Sequence, residues 1–269
     1  MPPNQAPIID PAKLFSLAGK TAIVTGGTGG LGTAMTMALA SGGADIVSIE
    51  LKDDPGSRNL HEALAKTGRR VELYHCDVRD AKDLRATFAR IWNDGIQGDI
   101  LLNCAGIQRR AEAEDFTDDD IEAVLDINLK ATLVACQEFA KPILKDESRG
   151  GKIINIASII SFIGGKNITP YAASKGGVMQ LSKAFSNEWA SRGINVNSIH
   201  PGYCTTPLTE QYQTDPKYKD FNDYVMMRTP MKRWGNPVDL AGAVIYLASS
   251  ASDYVTGSSI VVDGGWLGN

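Results

Sequence analysis

Thr21-Ala22-Ile23-Val24-Thr25-Gly26-Gly27-Thr28-Gly29-Gly30-Leu31-Gly32 is the stretch on which the fold turns. A short β-prone run enters a cluster of glycines, and a helical pattern follows at once. Glycine lets the backbone turn tightly and approach a pyrophosphate, whose charge then rests on the N–H groups that open the helix. A glycine-rich turn without a ligand has the same composition, but the strand before it and the helix after it favour a phosphate cradle. Spacing leaves the register open. Gly27, Gly29 and Gly32 satisfy one dinucleotide pattern, and Gly26, Gly30 and Gly32 satisfy another, with Thr28 and Leu31 inside both.

Outward from this stretch, β-rich runs alternate with helical patterns. The runs are Thr21–Thr25, Asp45–Glu50, Val71–Cys76, Asp99–Asn103, Lys152–Ser158, Ile194–His200 and Ser259–Asp263, and helical patterns occupy about 30–42, 57–67, 80–93, 118–145, 171–192 and 237–249. Such alternation predicts a doubly wound α/β domain, with a seven-stranded, mostly parallel sheet flanked by helices. Runs apolar on successive residues, such as Ile100-Leu101-Leu102, suit strands covered on both faces. Asp80 and Asn236-Pro237 read as helix starts. Residues 1–14 read as a loose, proline-bearing arm and 15–269 as one dinucleotide-binding catalytic domain. Within it, 205–235 lacks clear periodicity and is rich in aromatic residues and methionine, as a substrate loop or lid is.

The net charge of −4 argues against a nucleic-acid or anionic-membrane partner, since both demand a basic face. No apolar run approaches the roughly 18 residues that span a bilayer, and the start lacks the apolar core of a signal peptide. The expectation is a cytoplasmic protein. Cys76, Cys104, Cys136 and Cys204 are widely spaced and mostly within apolar stretches, so they read as buried thiols rather than disulfides or metal ligands. His61, His75 and His200 show no ligand spacing either, and no metal is expected.

The second strand ends at Glu50. A carboxylate there accepts hydrogen bonds from the adenine ribose hydroxyls and repels a 2′-phosphate, which favours NAD over NADP. Lys52, two residues on, is the group that would admit NADP. Tyr171 and Lys175 stand four apart on a helical pattern and so share a face. A tyrosine hydroxyl is a poor base because its ordinary pKa is about 10. An adjacent ammonium is expected to lower it toward the working range.

Taken with the glycine turn, Asn103-Cys104-Ala105-Gly106, Asn128, Ser158 thirteen residues before Tyr171, Pro201-Gly202 with Thr206, and Val262-Asp263-Gly264-Gly265, this pattern resembles the short-chain dehydrogenase/reductase family. The resemblance spans about residues 15–269. It implies a single Rossmann-type domain that binds a nicotinamide dinucleotide and moves a hydride between it and a secondary alcohol or ketone. It also implies Gly26, Gly30 and Gly32 as the cofactor glycines, Asp77 and Val78 flanking the adenine, and Asn103, Ala105 and Gly106 closing that side. Tyr171 would pass the proton, Lys175 hold the ribose and tune Tyr171, Ser158 bind the carbonyl oxygen, Asn128 hold a relaying water, and Thr206 fix the carboxamide. Cys104 departs from the family, which often has a second asparagine there. The family further implies a homotetramer, for which Trp266 and Leu267 are candidate anchors.

Within the family the chain is most similar to sugar-acid dehydrogenases acting on deoxy-gluconates and diketo-gluconates. Ile107-Gln108-Arg109-Arg110 is the informative stretch, because it follows the fourth strand at the ligand-binding end of the sheet. An arginine there, Arg109 foremost, would grip a substrate carboxylate, with Tyr203 nearby, unless it pairs with Glu112, Glu114 or Asp115. The aromatic 205–235 segment equally suits a bulky apolar or cyclic ketone. A redox-inactive dinucleotide-binding protein is the remaining alternative, but all four reacting-centre residues are present.

Overall fold

The computed structural model of the chain describes residues 8–146 and 148–269. Seven strands, β1 (Thr21–Thr25), β2 (Asp45–Glu50), β3 (Val71–His75), β4 (Ile100–Asn103), β5 (Gly151–Ile156), β6 (Ile194–Pro201) and β7 (Ser259–Val262), form one sheet in the order β3-β2-β1-β4-β5-β6-β7. Every pairing is parallel, where the sequence predicts a mostly parallel sheet. The helices are α1 (Pro11–Leu14), α2 (Gly30–Ser41), α3 (Ser57–Ala65), α4 (Ala81–Asn93), α5 (Asp118–Leu125), α6 (Ala131–Ile143), α7 (Thr169–Trp189), α8 (Gln211–Thr214), α9 (Lys219–Arg228) and α10 (Ala241–Ala248).

Successive strand residues point to opposite faces, so β1 feeds two apolar layers. Ile23 joins Leu101, Ile153 and Val196 beneath α4, α6 and α7, where Phe88 and Phe139 are fully buried. Ala22 and Val24 join Ile46, Leu102 and Ile154 beneath α2, α3 and α10. Between β1 and β4 the strand order reverses, and a parallel sheet opens a crevice at its carboxyl end there. The glycine turn leaves β1 at that point.

Three segments differ from their sequence reading. The pattern at 118–145 forms a continuous helical run, but a π turn at Asp126–Lys130 widens it between α5 and α6. Residues 205–235 are not structureless, since α8 and α9 lie within them. In the proposed arm, residues 1–7 lie outside the described residues, while Asp10 caps the turn of α1 through the N–H groups of Ala12 and Lys13. Phe15 and Leu14 then meet α10 and its exit, through Tyr246 and the Ser250 hydroxyl.

Candidate active site

The crevice is a cleft of about 890 Å³ that runs from Glu50 and Asp77 past the glycine turn to Ser158, Tyr171 and Tyr203. Gly26 has φ +69°, and a Cβ there would lie 2.5 Å from the backbone of Ala105. A Cβ on Gly32 would lie 2.0 Å from the carbonyl oxygen of Gly26, and one on Gly30 would lie 2.9 Å from Thr206 Cβ. A Cβ on Gly29 meets nothing closer than 3.7 Å. Close packing therefore demands glycine at 26, 30 and 32, the second of the two spacings. The helix that follows has no side-chain cap and no acidic residue in its first turn, so its opening N–H groups are left for an anion.

On the β2 side, Glu50 is buried with one oxygen against His61 Nε2 at 2.7 Å and the other without a partner. Asp54 accepts from the Thr28 hydroxyl and the Gly56 N–H, both at 2.8 Å. Lys52 is exposed and is not part of the cleft wall. Asp77 and Val78 line the cleft; the Arg79 guanidinium clamps Asp77 and holds its carboxyl below the usual range. The unpartnered oxygen of Glu50 and the uncapped start of α2 fit the two ends of an adenosine pyrophosphate.

Asn103 corrects the sequence reading. Its side chain is absent from the cleft wall and faces the α6 layer, donating to Asn155 Oδ1 at 2.9 Å and to Cys136 Sγ at 3.4 Å. Asn155 donates in turn to the Ser182 hydroxyl on α7. The alternation of β4 aims this amide away from the cleft, so it ties the sheet to α7 and leaves Ala105 and Gly106 to form the wall.

The reacting centre is assembled from β5, α7 and the π turn. Ser158 follows β5 in extended conformation, and its hydroxyl accepts from Ile160 N–H at 3.2 Å. Tyr171 and Lys175 stand one turn apart near the start of α7. The Lys175 ammonium donates to the Ile156 carbonyl at 2.7 Å and lies 5.8 Å from the centre of the Tyr171 ring. Asn128 sits in the π turn, a distortion often found at functional sites. Its amide clamps the backbone of Ile107 through two bonds, at 2.8 and 2.9 Å, and donates to the Ser174 hydroxyl at 3.1 Å. It lies behind Gly106, where a Cβ would stand 3.2 Å from Asn128 Oδ1 and 3.6 Å from Lys175 Nζ.

The electrostatics reverse one expectation. Burial pushes the Tyr171 hydroxyl up, against a hydrogen bond from Ser158 that pulls it down. Burial also pushes the Lys175 ammonium down to about 8. Burial thus shifts both groups toward their neutral forms, and the Tyr171 hydroxyl stands above its ordinary value rather than below it. Cys104 is raised by burial to about 11 and stays a neutral thiol.

Sequence reading missed His200. It is fully buried on β6, with Nδ1 at 3.0 Å from the Ser158 carbonyl and Nε2 at 2.8 Å from the Ser198 hydroxyl. It fixes the backbone that carries Ser158. Only a contact between strands makes it relevant, and no local pattern signals that.

The substrate end also departs from expectation. Arg109 pairs with Asp120 at 3.1 Å rather than with Glu112, Glu114 or Asp115. Arg110 instead lays its guanidinium over Tyr212, 5.0 Å from the ring centre, and near Phe221 at 5.7 Å. Tyr203 meets Phe221, Trp234 and Trp266 edge-on or tilted. Trp266 is thus buried within its own chain. Pro201, Gly202 and Thr206 complete this wall. Among the described residues no helix is long and apolar enough to cross a membrane, and no group of His, Cys, Asp and Glu is arranged to hold a metal.

Known proteins resemble this chain over nearly its whole length. A family model described as enoyl-(acyl carrier protein) reductase matches residues 26–267. The 2-dehydro-3-deoxy-D-gluconate 5-dehydrogenase of Escherichia coli is 42% identical over 253 residues, which cover 94% of this chain and 97% of that protein. The gluconate 5-dehydrogenase of Gluconobacter oxydans is 36% identical over 253 residues, covering 94% and 96%. The crystal structure of a gluconate 5-dehydrogenase from Burkholderia cenocepacia, in complex with NADP and tartrate, superposes with a TM-score of 0.88 at 36% identity, covering 96% of this chain and 99% of that one. The chain belongs to the short-chain dehydrogenase/reductase family. It is an oxidoreductase acting on CH–OH groups with a nicotinamide dinucleotide, NAD or NADP.

Proposed function

We propose that this enzyme interconverts a secondary alcohol and a ketone on a small sugar acid, with Arg110 meeting the substrate carboxylate. One observation carries the reading: Arg110, without an ion pair among the described residues, overhangs the cleft that Ser158 and Tyr171 line. A guanidinium resting on aromatic faces keeps its N–H fork available for a carboxylate. The dinucleotide would supply or accept the hydride. The chain handles the oxygen: Ser158 donates to the carbonyl, and Tyr171 passes the proton to the alkoxide that hydride addition creates. Lys175 would hold the nicotinamide ribose between itself and Tyr171, and its charged form would favour the phenolate. Asn128 has its amide engaged, so a relaying water would use the second lone pair of Oδ1, beside Gly106.

Glu50 supports NAD as the preferred cofactor, although the Burkholderia relative holds NADP. A homotetramer belongs to the same reading, supported by β7 as the sheet edge with Val261 outward. So does a cytoplasmic setting, which suits four unpaired cysteines.

The test is a panel of hexonic and ketohexonic acids, their uncharged polyol and ketose counterparts, and cyclic ketones, each with both cofactors. Turnover confined to the acids is expected. The aromatic wall of Tyr203, Phe221 and Trp234 favours a second reading, a bulky apolar ketone, and a preference for cyclic ketones over every sugar acid would replace the first with it.

A further inference from the structure

The carboxyl end of β2 holds a pair that the reaction does not use. Glu50 has no side-chain exposure, and its Oε1 meets His61 Nε2 at 2.7 Å. Its Oε2 is equally buried, has no hydrogen-bond partner, and belongs to a residue of the cleft wall. An acceptor stripped of water and left unpaired is costly to a fold. It implies a donor that arrives with a ligand. His61 reaches Glu50 because Leu60 and Leu64 on α3 are fully buried against the sheet, which sets the rotation of that helix. Its ring keeps about a quarter of its exposure, with 27% of the side chain open.

We propose that His61 is a specificity-determining residue for the dinucleotide: by holding Glu50 through Oε1, it leaves Oε2 as a lone acceptor for the adenosine ribose and so selects a 2′-hydroxyl over a 2′-phosphate. This rests on the dinucleotide reading above, which gives Glu50 a ribose and gives His61 nothing. A hydroxyl can donate to Oε2. A phosphate monoester offers acceptor oxygens and negative charge to a carboxylate, and gains nothing from it. Asp54 and Asp77 are weaker rivals as acceptors, since Thr28 and Gly56 already donate to the two oxygens of Asp54 and Arg79 clamps Asp77. Without His61 the Glu50 carboxylate loses its one fixed partner, turns, and stops discriminating.

Affinities for NADH and NADPH, read from nucleotide fluorescence without turnover, test this on wild type, His61→Ala, His61→Gln, Glu50→Ala and the Glu50→Ala/His61→Ala pair. Wild type is expected to bind NADH about tenfold or more tightly than NADPH, the scale of one hydrogen bond to a charged group. His61→Ala should cut that ratio about tenfold, chiefly by weakening NADH. His61→Gln, whose amide still donates to Oε1, should restore most of it. In the Glu50→Ala background, removing His61 should change nothing further. An unchanged ratio in His61→Ala, or a wild type that prefers NADPH, overturns the proposal. A wild type that binds neither nucleotide overturns the dinucleotide reading itself, which is a different result.

Discussion

The floor of the cleft and the wall above it are built on different principles. The floor is hydrogen-bonded throughout: Lys175 to the Ile156 carbonyl, Asn128 to Ile107 and Ser174, and Ser158 held through its backbone by His200. It grows from strand ends and the first turns of α7, elements fixed by two apolar layers. The side chains of the wall, from Tyr203 to Trp234, meet mainly through aromatic edges and one arginine resting on two rings, with a single side-chain hydrogen bond among these rings, from Trp234 to Asn222 Oδ1 at 2.7 Å. A bonded floor fixes one geometry for chemistry. An aromatic wall sets shape and can be recut without disturbing that geometry, so reaction class and substrate choice reside in separable parts.

Removing a hydroxyl from the floor should have the largest effect. Tyr171→Phe keeps the ring and the fold, and kcat should fall at least about a hundredfold, the low end for a lost general acid–base. Folding and nucleotide binding should survive, read from melting temperature and nucleotide fluorescence. A Tyr171→Phe enzyme with normal kcat on a good substrate would remove the floor from the chemistry altogether.

Next comes the energetic cost of the floor. Burial lowers Lys175 from the ordinary 10.5 to about 8. Between these values the unfolded lysine keeps a proton that the folded one has lost, so the contribution of this group to stability rises with pH across that window. Below about pH 8 the full penalty of the buried charge is present. Lys175→Met should therefore stabilise the nucleotide-free protein at pH 7. The pKa shift corresponds to about 3 kcal/mol, and the lost hydrogen bond to Ile156 offsets about 1 kcal/mol of it. The gap in urea midpoint between variant and wild type should be widest at pH 7 and close toward pH 10, because the four thiols raised by burial weigh equally on both proteins, while kcat collapses. Above pH 10 the raised Tyr171 acts with the opposite sign, because the unfolded tyrosine then ionises first. A variant less stable than wild type at pH 7 would show that the floor is not strained by its charge.

Changes to the wall should move KM and spare kcat. Arg110→Ala should raise KM for the best sugar acid about ten- to a hundredfold, the worth of a charged hydrogen bond. The uncharged counterpart of that sugar should not respond. Arg109→Ala removes only an exposed pair with Asp120, worth at most about 1 kcal/mol, and should be almost silent in KM and stability. Equal effects at 109 and 110 would dissolve the distinction between them.

The floor was legible in the sequence and the wall was not, for a physical reason. Ser158, Tyr171, Lys175 and the glycines sit at fixed offsets within strands and helices whose periodicity is plain. Geometry adds the reason for the register, since Gly26, Gly30 and Gly32 are the positions where a Cβ has no room. The π turn was illegible because one residue more per turn leaves no mark on an apolar pattern as short as 118–145. The direction of the Asn103 amide, the choice between Arg109 and Arg110, and the contacts of His61 and His200 depend on partners brought from other elements. The helix α9 lies where hydrophobic spacing is weak, and the aromatic cluster around Tyr203 holds it against the cleft.

The wholly parallel sheet has a consequence in time. Gly26 reaches Ala105 only after β1 has found β4, with Ala22 opposite Ile100, nearly eighty residues along the chain. No hairpin shortcut exists for such a pairing, and distant pairings form slowly because a long loop must close before any contact rewards it. Helices such as α4 and α7 need only local turns. On dilution from denaturant, ellipticity should return early and nucleotide affinity late, so the newly made chain passes through an interval in which it is largely helical yet blind to its cofactor.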